Sequence, residues 1–438
     1  MSEIKNYIQS HKDEMIQLLG ELVAVPSVQG EAVENCPFGR EPARALDIML
    51  KKCREFGFST ENVDNYAGSA DFDDKEPALA ILSHLDVVPA GDGWSSAPFA
   101  LRIDGDKLVG RGAIDDKGPA VASLYALRAV RELGIPLSKG VRLIFGTNEE
   151  NGSADLAYYR SKRTLPPMVF TPDGEYPLIN AEKGMIRAYF STAQPEGVEI
   201  SAGTVINAVP ASCKFHFLIP LKDGLTAKFG EVVGKSAHAS TPEKGENAIT
   251  KFLAEYKNGI PELEGKDVPV LKSLAELFPH GEFNGKSCGL GFSDEISGDM
   301  TCVLSMLNTQ NGRLSGAVDI RFPLDRKKSE ISSIICEKLR NIGFDIDSCE
   351  GVEPHCTDAD STFVKTLLKT YEKVTGEKGE SIAIGGGTYV HEIDGGVAFG
   401  AEFPGKDYHM HSPDEYITVD DLLKNAEIMA EAIVELCK

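Results

Sequence analysis

Three acidic turns hold the residues of this chain best suited to chemistry. The segment SHLDVVPAGDGW carries His84 and Asp86, GRGAIDDKGP carries Asp115 and Asp116, and TNEENG carries Glu149 and Glu150. Zinc takes imidazole nitrogen and carboxylate oxygen, and one carboxylate can bridge two ions, so these are the residue types of a two-metal hydrolytic site. A single such turn reads as a solvated acidic loop. Three in succession do not.

The elements that must position these turns are legible around them. From about residue 78, short β-rich runs alternate with helical ones, which predicts an α/β domain on a mostly parallel sheet. ALAILSHLD, VRLIFGTNEE and MVFTPDGEY read as strands. Between the first two, Val121, Leu124, Leu127 and Val130 recur at helical spacing, and Gly134 and Pro136 end that helix. His84 and Asp86 follow the first strand, Glu149 and Glu150 the second, and Asp173 the third. Open α/β sheets bind ligands outside the carboxyl ends of their strands, so three runs deliver metal-type side chains to one edge. From about residue 184 the texture changes to alternating strands such as MIRAYFSTA and CKFHFLIPL, with helices near 246–256 and 328–342. Strong α/β signals return with a helix over 361–375. The expected organisation is therefore a catalytic domain of residues 1–183 plus 356–438, with an α+β domain of residues 184–355 inserted in it.

Composition narrows the function. At 438 residues the chain exceeds the ceiling of roughly 250 to 300 residues for one hydrophobic core. The 45 basic and 67 acidic residues give a net charge of −22, which disfavours nucleic acid and anionic membrane as partners. Nine scattered cysteines without a C-x-x-C pair are expected to be reduced thiols in the cytoplasm. At the amino terminus, Ile4, Tyr7, Ile8, Met15, Leu18, Leu19 and Leu22 follow a helical period. This predicts a packed amphipathic helix rather than a signal peptide. No run approaches the roughly 18 apolar residues of a membrane span, so a soluble protein is expected.

The motifs SHLDVVP, GRGAIDDKGP, NEENGS, PDGEYP, NAVP, AHASTPEKGENA, GGGT and HMHSPDE follow one another over essentially the whole chain. In this order they resemble the dipeptidases of the aminoacylase, glutamate carboxypeptidase and succinyl-diaminopimelate desuccinylase family of di-zinc metallopeptidases. The resemblance implies an α/β catalytic domain with an inserted lid, and two divalent ions. Zinc is the first expectation, with manganese and cobalt open because one donor set serves several ions. His84, Asp115 and Asp173 would hold one ion and Asp115, Glu150 and His411 the other, with Asp115 bridging. Asp86 would orient the ligand imidazole, and Asp116 would start a helix rather than bind metal. Glu149 would act as general base toward the metal-activated water and return the proton to the leaving amine.

In the lid, His238 would hydrogen-bond the carbonyl oxygen as charge develops, a contact worth roughly 10² to 10³ in turnover. Arg321 would grip a substrate carboxylate with its planar fork. Asn207 would help bind the substrate, and Gly387 and Thr388 in the glycine turn would offer backbone N–H groups to a carboxylate. The chain departs from the family pattern where GGGTYVHEI supplies His391 in place of an arginine. The insertion has the length of the double lid found in monomeric dipeptidases, which implies a monomer acting on small peptides. Rival readings are a deacylase of N-acyl amino acids from the same family and a metal-binding protein without catalysis.

Overall fold

In the computed structural model, which describes residues 3–221, 224–259 and 267–438, the chain forms two compact units. Met1–Asn180, Thr357–Ile382 and Thr388–Lys438 make the first; Ala181–Cys356 and Ala383–Gly387 make the second.

The first unit is built on strands β1 (Ser59–Val63), β2 (Ala67–Asp71), β3 (Pro77–His84), β4 (Gly140–Gly146), β5 (Met168–Thr171), β6 (Leu178–Glu182, whose end passes into the second unit) and β7 (Val397–Ala398). Their order is β1-β2-β4-β3-β5-β7-β6. The central four, β4, β3, β5 and β7, run parallel, and antiparallel strands flank them. An apolar run without alternation suits a strand covered on both faces, and the last six residues of β3 are buried. Its side chains divide with period two: Leu79 and Ile81 join the larger core, while Ala80 and Leu82 pack with Leu156, Tyr159 and Val390. Helix Lys117–Glu132 supplies Val121, Leu124, Leu127 and Val130 to the larger core and packs on helix Val419–Cys437. Thr418 caps that last helix by accepting the Asp421 N–H at 3.0 Å.

The amino-terminal segment departs from the single helix expected. It forms two helices, Glu3–Ser10 and Lys12–Val23. The Tyr7 carbonyl, which would continue the ladder, instead meets the Ser10 hydroxyl at 2.8 Å and His11 Nδ1 at 2.8 Å. Such local side-chain bonds compete with helix propagation.

The second unit carries a seven-stranded sheet, ordered Gly224–Val233, Ser212–Leu221, Val198–Ala202, Thr301–Gln310, Arg313–Phe322, Gly184–Ala193 and Asp345–Val352. All its pairings are antiparallel. Helices Ala248–Asn258, Pro269–Leu277 and Lys328–Asn341 share its core with Phe190, Phe217, Leu307 and Ile320.

Candidate metal centre

Parallel strands bring the acidic turns to one edge. His84 ends β3 in register with Gly146, the end of β4. Past Gly146 comes the tight turn Glu149–Asn151, and Asp173 lies just past β5. Asp115 and Asp116 precede helix Lys117–Glu132. His411 arrives from the turn before the last helix, with its backbone in the left-handed region at φ 56°, a conformation costly for a residue other than glycine and frequent at functional sites.

Two groups of ligand-type atoms result. His84, Glu149 and Asp173 form one, Asp115, Glu150 and His411 the other, with the atoms of each group within 4.8 Å of one another. Asp115 joins them. Its Oδ1 stands 2.9 Å from His84 Nε2 and its Oδ2 2.7 Å from His411 Nε2, the disposition of a bridging carboxylate. Asp173 Oδ2 is 3.7 Å from His84 Nε2, and Glu150 Oε2 is 3.2 Å from His411 Nε2. Glu149 thus sits as near His84 and Asp173 as a ligand would.

The donor set fits divalent ions on two counts. His84 Nε2 is fully buried among carboxylate oxygens, with Asp115 Oδ1 at 2.9 Å and Asp173 Oδ2 at 3.7 Å. The electrostatics of the carboxylates agree. Burial pushes the Asp173 carboxyl up to about 7, with Asp115 and Glu150 adding to the rise. Burial likewise holds Glu149 and Glu150 above the usual range. Within the two groups only Asp115 is held low: against burial, the bonds from His411 and His84 prevail. Crowded carboxylates of this kind ionise together only beside positive charge.

Behind these two groups stand buried carboxylates that hold the turns by their backbone N–H groups. Asp86, fully buried, accepts Glu149 N–H at 3.1 Å and Glu150 N–H at 3.2 Å. The nearest partner of His84 Nδ1 is the Asp86 carbonyl, at 3.0 Å, with the carboxylate at 3.5 Å. Asp116 stands at the helix start without capping it; its Oδ2 accepts the His84 N–H at 3.0 Å.

Sequence reasoning missed the other anchors. Glu415 bonds Arg111 at 2.6 Å and accepts Ile114 N–H and Asp115 N–H at 3.0 and 3.3 Å. Asp155 accepts Thr147 N–H and Asn148 N–H at 2.6 and 2.8 Å, together with the Tyr389 hydroxyl. The Tyr389 ring lies edge-on to the His84 ring, centroids 6.1 Å apart. A Cβ on Gly146 would fall 1.7 Å from the Tyr389 oxygen and 2.4 Å from Asp155, so this network requires glycine there. Lys117, buried beside Asp116, donates to the Leu22 and Val25 carbonyls at 3.0 and 2.9 Å, and burial pulls its ammonium down to about 7. Each missed residue lies in or beside a recognised motif; that adjacency was the available signal.

The remaining candidates belong largely to the second unit. Strand Ala208–Val209, which follows Asn207, pairs with Ala237–His238, and the Asn207 carbonyl accepts Ala239 N–H at 2.9 Å. His238 Nδ1 meets Ser240 Oγ at 2.7 Å and the Ser240 N–H at 3.2 Å. Gly385 packs on the same turn; a Cβ there would lie 2.8 Å from Ser240 Cβ. Arg321 is 4% exposed, with Nε and Nη2 bonded to Asp319 at 2.6 and 3.1 Å and Nη1 to the Gly385 carbonyl at 2.9 Å. Gly387 ends that glycine segment, and Thr388 begins the return to the first unit, where its carbonyl accepts the His391 N–H at 3.0 Å.

Known proteins share this architecture. YtjP of Bacillus subtilis (strain 168) is 34% identical over 463 residues, covering 98% of both chains. The Beta-Ala-Xaa dipeptidase of Lactobacillus delbrueckii subsp. lactis is 33% identical over 465 residues, covering 99% of this chain and 98% of that protein. Among solved structures, human carnosine dipeptidase 1 superposes with a TM-score of 0.66 at 18% identity, over 99% of this chain and 98% of that one. The sequence model of peptidase family M20/M25/M40 matches residues 80–435. The chain belongs to peptidase family M20/M25/M40.

Proposed function

We propose that the protein is a zinc-dependent dipeptidase that hydrolyses small peptides with a free amino terminus. The observation that carries this reading is the pair of ligand groups joined by Asp115, in a chain that aligns end to end with a Beta-Ala-Xaa dipeptidase. His84, Asp115 and Asp173 would hold one ion and Asp115, Glu150 and His411 the other. Ions there would polarise the peptide carbonyl and acidify water. Glu149 takes the proton of the attacking water and hands it to the leaving amine. Its turn is fixed from behind by Asp86, so its carboxylate is held in place before substrate arrives.

His238 serves the carbonyl oxygen. The Ser240 N–H directed at Nδ1 places the proton of a neutral ring on Nε2, which makes Nε2–H a donor suited to a developing oxyanion. Asn207, beside it, assists in binding, and Arg321, Gly387 and Thr388 belong to recognition of the carboxyl end. The protein is proposed as a cytoplasmic monomer, and its mass in solution tests the second part. No described helix is long and apolar enough to cross a membrane.

The deciding experiment loads the purified protein with zinc, manganese or cobalt and compares free dipeptides with N-acetyl amino acids. Hydrolysis of dipeptides is expected. Cleavage of N-acetyl amino acids alone would make it a deacylase, and no cleavage of either class with any metal would leave a binding protein.

A further inference from the structure

Of the residues proposed to hold metal, His411 is the least supported by packing. The side chains of His84, Asp115, Asp173 and Glu150 are at most 15% exposed, whereas that of His411 is 50% exposed. The position of its ring therefore depends on the turn that carries it. That turn adopts a backbone the chain does not favour: His409, His411 and Asp414 have φ of 57°, 56° and 57°, the left-handed region that is costly for residues other than glycine. Backbone of this kind persists only where its surroundings over-determine it.

Two sets of bonds do so. Within the turn, the Ser412 N–H donates to the His409 carbonyl at 2.9 Å and the Tyr416 N–H to the Tyr408 carbonyl at 3.1 Å. From outside, the loop 90–96 grips the turn. Asp414 Oδ1 accepts both the Ser95 N–H at 3.0 Å and the Ser95 hydroxyl at 2.8 Å. Gly93 lies against Pro413, where a Cβ would fall 3.2 Å from the proline Cγ. Trp94 closes the loop by donating from Nε1 to the Ala90 carbonyl at 2.7 Å, and the Arg111 guanidinium lies over its ring, 5.2 Å from the centroid. The loop is itself fixed. Arg102 donates to Ser95 Oγ and to Ser96 Oγ, each at 3.2 Å. Strand Arg102–Asp104 pairs with Lys107–Val109, which pairs with Tyr416–Thr418 directly beyond the turn. One small sheet thus anchors the loop through Arg102 and the turn through Tyr416.

We propose that Asp414 is a positioning residue for His411: its two bonds to Ser95 clasp the turn to the loop and set the metal affinity of the group Asp115, Glu150 and His411, but not that of the group around His84. The inference rests on the two-ion reading of the site. Both bonds end on one oxygen, so an amide oxygen serves as well as a carboxylate, and asparagine shares with aspartate a tolerance of the left-handed region. The clasp works by shape rather than by charge.

Calorimetric titration of the full-length, chelated protein with zinc, with metal content measured after dialysis, tests this. Wild type should bind two ions. Asp414→Gly removes the acceptor while keeping the left-handed backbone accessible. It should weaken one ion by about 10- to 100-fold and leave the other within about threefold. The melting temperature of the chelated protein should stay within about 2 °C, because the lost bonds lie at the surface. Asp414→Asn should keep both affinities at the wild-type level. His411→Ala identifies the affected ion: it should abolish the binding step that Asp414→Gly weakens and spare the other. Unchanged affinity for both ions in Asp414→Gly, equal weakening of both, or an Asp414→Asn variant as weak as Asp414→Gly overturns the proposal and leaves the two-ion reading standing. A wild type that binds one ion overturns the two-ion reading instead; the proposal then holds if Asp414→Gly and His411→Ala both weaken that ion, and falls otherwise. A wild type that binds no ion removes both.

Discussion

Replacing Glu415 by glutamine tests whether Asp115, the proposed bridging ligand, depends on a carboxylate 300 residues away. The Arg111 and Glu415 side chains are each 1% exposed and 2.6 Å apart. One Glu415 oxygen faces Arg111, and the other accepts the Ile114 and Asp115 N–H groups. Glutamine keeps one acceptor, so it can satisfy the N–H pair or Arg111 but not both. Arg111 would keep the Pro89 and Ala90 carbonyls but lose the one anion it pairs with among the described residues. Breaking a buried pair from one side costs about 3–5 kcal/mol. At roughly 2–4 °C per kcal/mol, the melting temperature should fall by about 6–20 °C. Loosening the Asp115 backbone should also weaken metal binding by about 10- to 100-fold, the usual cost of losing support behind a ligand.

Calorimetry of the chelated and the zinc-loaded protein, with metal content measured after dialysis, reads both effects. The control is the double variant Arg111→Met with Glu415→Leu. It removes the charge left behind and should recover much of the stability without recovering metal affinity, because Asp115 N–H still lacks its acceptor. A glutamine variant that melts within 2 °C of wild type refutes the buried-pair reasoning. One that melts low while binding both metals normally refutes the link to Asp115.

Three further substitutions address the reaction. Glu149→Ala should retain two metals and lose about 10²- to 10⁴-fold in kcat; loss of one metal instead would make Glu149 a ligand, which its place in the His84 group makes a sharp test. His238→Ala should lower kcat by on the order of 10² at unchanged metal stoichiometry, and a metal loss would move it to the ligand set. Tyr389→Phe removes the hydroxyl from Asp155 and should cost about tenfold in kcat, the scale of one hydrogen bond to a charged group. Full activity would mean that the backbone bonds to Asp155 hold the turn unaided.

The sequence made the ligand-bearing turns visible because strand, turn and ligand are contiguous in them: His84 ends its own strand and Glu149 follows β4 within one turn. The parallel order of β4, β3 and β5 then sufficed to bring them to one edge. Partnerships between distant segments were not visible. Nothing local in GRGAIDD tells that Arg111 meets Glu415, or in GGGTY that Tyr389 meets Asp155. Asp86 shows the limit at closer range. The resemblance implied that its carboxylate orients the imidazole; that carboxylate stands 3.5 Å from His84 Nδ1, and what the sequence did not show is that the Asp86 carbonyl is nearer and that the carboxylate also takes the next turn's N–H groups. Arg321 was legible as a cation at the end of a strand, but that Asp319 takes its Nε and Nη2 depends on side-chain direction within DIR.

Four buried carboxylates, Asp86, Asp116, Asp155 and Glu415, hold the turns by backbone N–H groups. Charge-assisted bonds are roughly twice as strong as neutral ones, which suits turns that lack a strand ladder to fix them. Yet every anchor sets a buried carboxyl group beside an acidic cluster, burial raises those of Asp116, Asp155 and Glu415 above the usual range, and among the described residues only Glu415 is paired with a lysine or arginine. If the proposed ligands hold metal, the anchors fix them and add to their demand for cations together. Metal loading should stabilise the fold, by about 2.7 kcal/mol at a hundred times Kd. Removing an anchor such as Asp86 should then have opposite effects in the two states: repulsion eases in the chelated protein, while affinity falls in the loaded one. The melting-temperature gap between loaded and chelated protein should shrink in Asp86→Ala but stay constant in a packing variant such as Leu82→Ala, which lowers both states alike. A gap that stays constant in Asp86→Ala would mean that the carboxylate serves only to pack the turn.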